Sequence, residues 1–350
     1  MSQPPDVSVT PVNTGAAVSQ QVRDIAASKI HDAISGFALT NALFTLIESK
    51  LFADLQAGPV SAETAAAAHK YDYGHTVGLL RFLVTQDILK EDPGERFRLT
   101  PVGESTLAQG PRGWVHMYRG GYGDLMMRSG QLLDGSLVCG RDVHRDGHFV
   151  AYGSNEATSA VLTEVPFAVI EKLGAKTLVD LGCGAASLLI DWVKRAPQNR
   201  GIGVDVDKAA IETGRKIVAE AGLSDRINLV LGNGFDLSAI QKECAEGDIF
   251  TSFAMEHEVL RDGEESVLTH IDKMAELFPR AIGYLLGEPM LNMTREDGIF
   301  YWLHTLSRQG IPRNINGWVT LLRRLSRARF ERVYVPDHGR YGAYFDIRFR

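Results

Sequence analysis

The segment AMEHEVL, residues 254–260, sets a histidine between two glutamates at the end of an apolar run. An imidazole titrates near neutral pH, so His257 could take a proton from an acceptor substrate. Imidazole is also a common metal ligand, which makes a metal site the second interpretation. The third is a solvated surface residue without a chemical role. The elements that position His257 decide among the three.

A glycine turn between a predicted strand and a predicted helix is the second chemical feature. In TLVDLGCGAAS, Gly182 and Gly184 let the backbone turn tightly and approach a ligand. Asp205 ends the next predicted strand, about twenty residues on, where a carboxylate can bind ribose hydroxyls. A nicotinamide dinucleotide would fit this pattern. Asp180 and Ser187 favour S-adenosylmethionine instead, because an acid beside the loop suits a cationic ligand better than a pyrophosphate and the third fingerprint glycine is absent.

The segment LGNGFD follows the third predicted strand of the same region. Asn233 and Phe235 supply an amide and an aromatic ring that are placed to meet an adenine. A lone GxG motif usually marks an ordinary tight turn. The acid at the next strand end and this third loop together strengthen the interpretation as a methyl-donor site.

Apolar runs alternate with helical patterns from Gly174 onward, which predicts a doubly wound, Rossmann-like α/β domain. His257 then follows the fourth strand of that domain, at the carboxyl edge where ligands of such sheets bind. The strands are predicted in KTLVDLGCG, RGIGVDV, INLVLGNGF, GDIFTSFAM and RAIGYLLGEP. This context makes an idle surface role for His257 the weakest of its three interpretations.

The chain before this domain divides into three predicted parts. Residues 1–20 read as a flexible tail, and residues 21–107 show helices followed by a small hairpin, the order of a winged helix. Residues 108–165, rich in Gly, Arg, Tyr and His, are predicted to be an irregular connector that lines the cleft of the catalytic domain, residues 166–350.

Charge and composition limit the function classes. Residues 22–109 carry eight Lys/Arg and eleven Asp/Glu, a net charge of −3 that would repel phosphate and argues against a DNA-binding regulator. The whole chain has a net charge of −6, 45% hydrophobic residues and three scattered cysteines, so we expect neither a nucleic-acid partner nor a disulfide framework. The N-terminus lacks a signal-peptide pattern and no stretch approaches twenty apolar residues, which predicts a cytoplasmic protein without a membrane span.

The motifs VDLGCGAAS, GVDV and GNGF resemble the donor-binding loops of class I methyltransferases. With the helical N-terminal domain, residues 20–350 resemble the small-molecule O-methyltransferases, which are dimers through that domain. The resemblance implies that Val206 and Gly234 join the donor-site residues named above. It also implies that His257 stands where those enzymes carry their general base, although their following Asp-Trp pair is replaced here.

The 2-oxo acid C-methyltransferases, relatives that use non-haem iron, offer a closer resemblance. They also carry a His followed by an acid at this position and a second His on a later helix, as GIFYWLHTLSRQG does here. The resemblance implies a metal site of His257, Glu258 and His304, holding iron or alternatively zinc. It further implies that Arg145, in HRDGHFVAYGSNEA, anchors the carboxylate of a 2-oxo acid that is methylated at its β-carbon.

Two rivals stay open on the sequence: a metal-independent O-methyltransferase with His257 as base, and, less favoured, a winged-helix regulator that senses a ligand. The acceptor side chain is also open among an aryl, a branched-chain and a guanidino 2-oxo acid. Asp124 or Glu156 could meet a guanidinium, but the sequence does not place them in a pocket.

Overall fold

The computed structural model describes residues 29–162, 164–294, 297–336 and 342–350. The predicted tail, residues 1–20, lies outside the described residues. The chain forms two compact units, one ending at Ser105 and the other starting at Thr106. The second unit therefore contains the predicted connector together with the α/β domain.

The first unit is helical with a small antiparallel sheet of order β1-β3-β2, as the helix-and-hairpin pattern predicted. Ser61 caps its third helix through its side chain, which accepts a hydrogen bond from the Thr64 amide. The first two helices are separated at Ser49, whose backbone is extended. The elements are α1 (Ile30–Glu48), α2 (Lys50–Ala57), β1 (Val60–Ser61), α3 (Ala62–His69), α4 (Tyr73–Thr85), β2 (Leu89–Asp92), β3 (Arg96–Leu99) and α5 (Pro101–Thr106).

Helix α1 carries apolar side chains that its own unit leaves exposed. Ile30, Ile34 and Phe37 are 51%, 59% and 59% exposed, and they follow one another at helical spacing. By length and composition this helix could also cross a membrane, which the sequence analysis did not anticipate. One such helix is weak evidence of a span, and an exposed apolar stripe on a helix equally marks a protein–protein contact.

The segment predicted as an irregular connector is mainly helical. It contains α6 (Gln109–Val115), a π-helical turn (His116–Gly121), α7 (Tyr122–Met127), α8 (Ser129–Leu133), α9 (Gly147–Leu162) and α10 (Glu164–Lys172). Its glycines permit close helix packing: a Cβ on Gly113 would lie 2.4 Å from the Ala157 nitrogen, and one on Gly153 would lie 2.4 Å from the Met117 nitrogen. Glycine here serves helix contact and does not indicate a loop.

A seven-stranded sheet of order β6-β5-β4-β7-β8-β10-β9 forms the centre of the second unit. All five strands predicted from apolar runs are present and parallel. Leu178 belongs to one hydrophobic core and its neighbour Val179 to another, so both faces of the sheet are covered. The strands are β4 (Thr177–Leu181), β5 (Arg200–Asp205), β6 (Ile227–Leu231), β7 (Ile249–Phe253), β8 (Gly283–Glu288), β9 (Ala328–Tyr334) and β10 (Ala343–Phe349).

Helices connect these strands as the alternation predicted. They are α11 (Ser187–Arg195), α12 (Lys208–Glu220), α13 (Gln241–Cys244), α14 (Glu256–Val259), α15 (Glu264–Leu277), α16 (Asp297–Leu306) and α17 (Ile315–Leu322). The antiparallel strands β9 and β10 were not anticipated. Strand β10 pairs with both β8 and β9, so it lies inside the sheet.

We expect the double substitution Ile34→Asp with Phe37→Asp to convert a dimer of this protein into monomers. Two carboxylates would have to lose their hydration in the apolar contact. Light scattering after size exclusion measures the mass. Val102→Asp is the control, because Val102 is an exposed apolar residue on α5, outside the α1 stripe. A double variant that remains dimeric would show that this stripe is not the contact.

Candidate active site

The glycine turn after β4 has the backbone conformation that a close-approaching ligand requires. Gly182 and Gly184 have φ angles of 78° and 53°, in the left-handed region that glycine adopts without strain. Ala186, two residues after Gly184, also lies in this left-handed region, with a φ of 69°. An alanine there carries local strain on the order of 1 kcal/mol, immediately before α11.

Asp205, at the end of β5, shapes the glycine turn. Its Oδ2 accepts a hydrogen bond from the Gly184 amide at 2.8 Å, and its Oδ1 accepts one from the Asp207 amide at 2.8 Å. Each oxygen retains a second lone pair for a ribose hydroxyl. The next residue, Val206, is 68% exposed, so an apolar side chain is available to cover a ligand ring.

Asp180 is a buried carboxyl beside the same turn. It is 6% exposed, and in the described part of the chain it accepts no hydrogen bond. Burial, with the nearby charge of Asp205, raises the pKa of Asp180 to about 8. A buried acid in this state favours a cationic ligand, so the residues around the turn fit S-adenosylmethionine.

A buried histidine holds the loop that follows β6. Asn233 accepts a hydrogen bond from the Phe235 amide, and the Gly234 carbonyl lies 3.1 Å from Nε2 of His270. His270 Nδ1 lies 2.6 Å from Glu256, the first residue of α14. Burial disfavours the imidazolium, yet the charge of Glu256 outweighs it and raises the pKa of His270. The pair holds Gly234 and Phe235 in place.

His257, at 2% exposure, is held by a second buried acid. Its Nδ1 lies 2.7 Å from Glu288 Oε2, and its backbone amide donates to Glu288 Oε1 at 3.2 Å. Glu288 ends β8, the strand beside the one that precedes His257. Burial raises the pKa of Glu288, although the histidine counteracts it. The pair leaves Nε2 of His257 as the nitrogen available for chemistry.

That nitrogen faces His304. The two Nε2 atoms are 3.2 Å apart, and His304 Nδ1 lies 2.8 Å from the Phe300 carbonyl, which can only accept. His304 Nδ1 therefore carries its hydrogen and Nε2 its lone pair. Burial lowers the pKa of His304 to about 3, with further lowering by His257, so this ring is neutral. The contact requires either a proton on Nε2 of His257 or a metal ion between two lone pairs.

Glu258 forms an ion pair with Arg145. Its Oε1 accepts from Arg145 Nη2 and from Gln309 Nε2, both at 2.8 Å. Burial opposes ionisation, but the Arg145 charge and hydrogen bond outweigh it, so the pKa of Glu258 lies below its usual value. No three His, Cys, Asp or Glu residues within the described ranges form a metal-binding group. The imidazoles of His257 and His304 lie in contact, whereas the Glu258 carboxylate, the third predicted ligand, points to Arg145.

Sequence reasoning left several site residues unassigned. They are Glu288, Gln309 and the buried Glu256–His270 pair, none of which carries a local sequence signal for its role. The two acids considered for a guanidinium are both engaged. Glu156 is bonded to Arg112, His116 and Tyr152, and Asp124 is paired with Arg128.

We expect S-adenosylmethionine to release a proton from the protein when it binds at pH 7. Asp180 is protonated below a pKa of about 8 in the free protein, and a cation favours its ionised form. Affinity should therefore rise as the pH increases toward 8, by up to about tenfold per unit. Calorimetry in buffers of different ionisation enthalpy measures the released proton. Asp180→Asn should remove this release and bind more weakly; an identical release from wild type and variant would contradict the assignment.

We expect Gly310→Ala to lower the free energy of unfolding by about 1–3 kcal/mol, because a Cβ there would lie 1.8 Å from the His257 carbonyl oxygen. Thermal and denaturant unfolding measure this loss. Gly298→Ala is the matched control: its Cβ would meet no atom within 4 Å, and alanine favours the helix α16 that contains it. Equal stability of the two variants would contradict the tight approach.

Two domain families match the chain. Residues 31–109 match the O-methyltransferase dimerisation domain, and residues 178–276 match a methyltransferase domain. A 2-ketoarginine methyltransferase of Streptomyces arginensis is 30% identical over 49% of this chain and 50% of its own length. A 3-amino-4-hydroxybenzoate 4-O-methyltransferase of Streptomyces cremeus is 29% identical over 62% of this chain and 63% of its own length. The matches thus span less than two thirds of either relative.

Solved structures resemble the chain over nearly its whole length. The mitomycin 7-O-methyltransferase superposes with a TM-score of 0.67 at 19% identity, covering 95% of this chain and 100% of that one. At this identity the likeness concerns the fold. The chain has the fold of the O-methyltransferases, a helical dimerisation domain followed by an α/β methyltransferase domain with a mostly parallel seven-stranded sheet.

Proposed function

We propose that the protein is an S-adenosylmethionine-dependent methyltransferase of small molecules and works as a cytoplasmic homodimer. The methyltransferase domain match and the donor-site geometry support the activity. Asp180 is a buried acid suited to a cationic donor. The glycine turn, which Asp205 holds through the Gly184 amide, allows the backbone to lie close to that donor. The dimerisation domain match and the exposed apolar stripe of α1 support the dimer. The same domain match weakens the rival of a DNA-binding regulator.

We propose further that the acceptor is a 2-oxo acid, methylated at its β-carbon with the help of a bound metal. One observation carries this proposal: Nε2 of His257 and Nε2 of His304 face each other at 3.2 Å, while both outer nitrogens are hydrogen-bonded. Such outer bonds fix the tautomer of metal-binding histidines. The separation suits two nitrogens that each lie about 2.1 Å from one ion. The 2-ketoarginine methyltransferase match lends weaker support.

His257, His304 and Glu258 would hold the metal, and iron or zinc would suit these donors. When bound, the metal would supply Lewis-acid activation of the keto group, which makes the neighbouring C–H more acidic. Glu288 keeps His257 oriented, and Arg145 supplies a half-buried guanidinium for the acceptor's carboxylate. In the transfer, the β-carbon gives a proton to water and forms a bond to the donor methyl group, while the bond between that methyl group and the donor sulfur breaks and releases S-adenosylhomocysteine.

Metal-independent O-methylation is the second candidate. The His257–Glu288 pair has the geometry of a general base with its orienting acid, and Nε2, in the tautomer that leaves it unprotonated, would take the proton of a hydroxyl acceptor. The match to a 4-O-methyltransferase of an aminohydroxybenzoate supports this alternative. In that reaction His304 would contribute packing and a hydrogen bond, and no metal would be required.

The deciding experiment compares His257→Ala and His304→Ala with wild type. Metal content is measured after purification, and turnover is followed with phenylpyruvate, a branched-chain 2-oxo acid, a guanidino 2-oxo acid and a phenol, with and without chelator. We expect a C-methylated 2-oxo acid, loss of activity with chelator, and a loss beyond about 100-fold in either variant, since even an outer partner of a metal ligand is worth about 10- to 100-fold.

Other outcomes assign the site differently. Full activity of a metal-free wild type would rule out the metal. An active His304→Ala beside an inactive His257→Ala, with the phenol as the methylated acceptor, would favour the base. His75→Ala is the control, because His75 lies exposed in the first unit and takes no part in this site.

A further inference from the structure

Four side chains beside the histidine pair close a hydrogen-bonded ring. Arg145 and Gln309 both donate to Glu258 Oε1 at 2.8 Å. Tyr122 donates to Gln309 Oε1 at 3.1 Å and accepts from Arg145 Nη1 at 3.4 Å. The four residues come from α7, the segment before α9, α14 and the loop after α16, so the fold brings together positions up to 187 residues apart.

The orientation of the Gln309 amide follows from its neighbours. Its Oε1 accepts from two hydroxyls, Tyr122 at 3.1 Å and Ser307 at 2.6 Å. The Glu258 carboxylate, ion-paired with Arg145, can only accept hydrogen bonds, so the amide nitrogen of Gln309 must face it. A guanidinium nitrogen and an amide nitrogen therefore converge on a single carboxylate oxygen. Within the described part of the chain, the second oxygen of Glu258 accepts no hydrogen bond.

We propose that Arg145 and Gln309 form the recognition site for the carboxylate of the acceptor, and that Glu258 occupies this site until the acceptor arrives. Gln309 is a specificity-determining residue in this arrangement. Tyr122 is a positioning residue that orients the amide of Gln309. The inference rests on the proposed 2-oxo acid function and adds two residues that neither sequence motifs nor the resemblance assigned.

The chemistry of the ring supports a carboxylate over a neutral acceptor. The donors that converge here, a cation and an amide N–H, match an oxygen anion, and charge-assisted bonds of this kind are the strong ones. Arg145 and Glu258 are each about one third exposed, at 31% and 30%, so an incoming ligand can reach the pair. When an acceptor carboxylate takes the place of Oε1, the Glu258 side chain is released from Arg145 toward its histidine neighbour.

The test compares each 2-oxo acid with its methyl ester, which keeps the keto group and side chain but lacks the anion. Binding to the S-adenosylhomocysteine complex is measured by calorimetry with phenylpyruvate, or with the panel member that is turned over fastest. We expect wild type to prefer the acid. Gln309→Leu should reduce that preference about tenfold or more, as losing a bond to a charged group does, with ester binding unchanged.

Two further variants sharpen the comparison. Gln309→Glu keeps the size and polarity but replaces the donor with an anion, so it should also lose the acid preference. Tyr122→Phe should show a smaller loss. Gln241→Leu is the matched control, because the side chain of this exposed glutamine bonds the Leu277 carbonyl, away from the ring; its acid preference should equal that of wild type.

The possible outcomes distinguish a failure of this inference from a failure of the proposed 2-oxo acid function. Acid preference unchanged in both Gln309 variants, while wild type methylates the acid, would overturn the inference alone. A wild type that neither binds nor methylates any 2-oxo acid in the panel would overturn the proposed function and the inference with it. Equal weakening of acid and ester in the Gln309 variants would indicate general damage to the pocket and would overturn the specific role.

Discussion

Burial of three carboxyl groups at one edge of the sheet is the constraint on which the site depends. Asp180, Glu256 and Glu288 lie at or just beyond the carboxyl ends of β4, β7 and β8, and none is more than 6% exposed. A buried carboxylate is costly unless it meets a cation or hydrogen-bond donors. Glu256 and Glu288 meet histidines, whereas Asp180 meets no cation among the described residues. A sulfonium donor bound beside the glycine turn would supply the positive charge that is missing there.

The same two histidine–acid pairs connect the halves of the site. His270 and Glu256 fix the loop that carries Phe235. His257 is the next residue after Glu256 on α14. The loop after β6 and the His257 imidazole are therefore held by consecutive residues of one short helix. One oxygen of Glu256 lacks a hydrogen-bond partner among the described residues. A buried oxygen without a partner costs free energy, which is unexpected for an acid that only stabilises the fold.

Much of the fold was predictable because parallel strands buried on both faces read as short apolar runs. The antiparallel strands β9 and β10 were missed, since charged residues such as Arg329, Glu331 and Asp346 interrupt their apolar pattern. The helical segment after Thr106 was missed for another reason. Glycine is read as a turn signal, but Gly113 and Gly153 serve close contact between α6, the π-helical turn and α9.

The residues of the site also fall into those that could be predicted from the sequence and those that could not. His257, His304 and Arg145 were named from motifs, and the structure brings them into one cluster. Gln309 and the role of Glu288 could not be predicted, because their partners lie 51 and 31 residues away in the chain. The contact of Glu258 with Arg145 also depends on side-chain direction, which the spacing of residues in the sequence does not determine.

The interior position of β10 has a consequence for biosynthesis. Strand β10, which follows every other strand of the sheet in sequence, pairs with β8 along residues 343–348, with Ala343 opposite Glu288. While the ribosome is still making this segment, β8 presents an unpaired apolar edge, and the backbone beside the residue that orients His257 has no neighbour. Such edges recruit other chains. The backbone beside Glu288, the residue that orients His257, therefore gains its second neighbour only when β10 docks on β8.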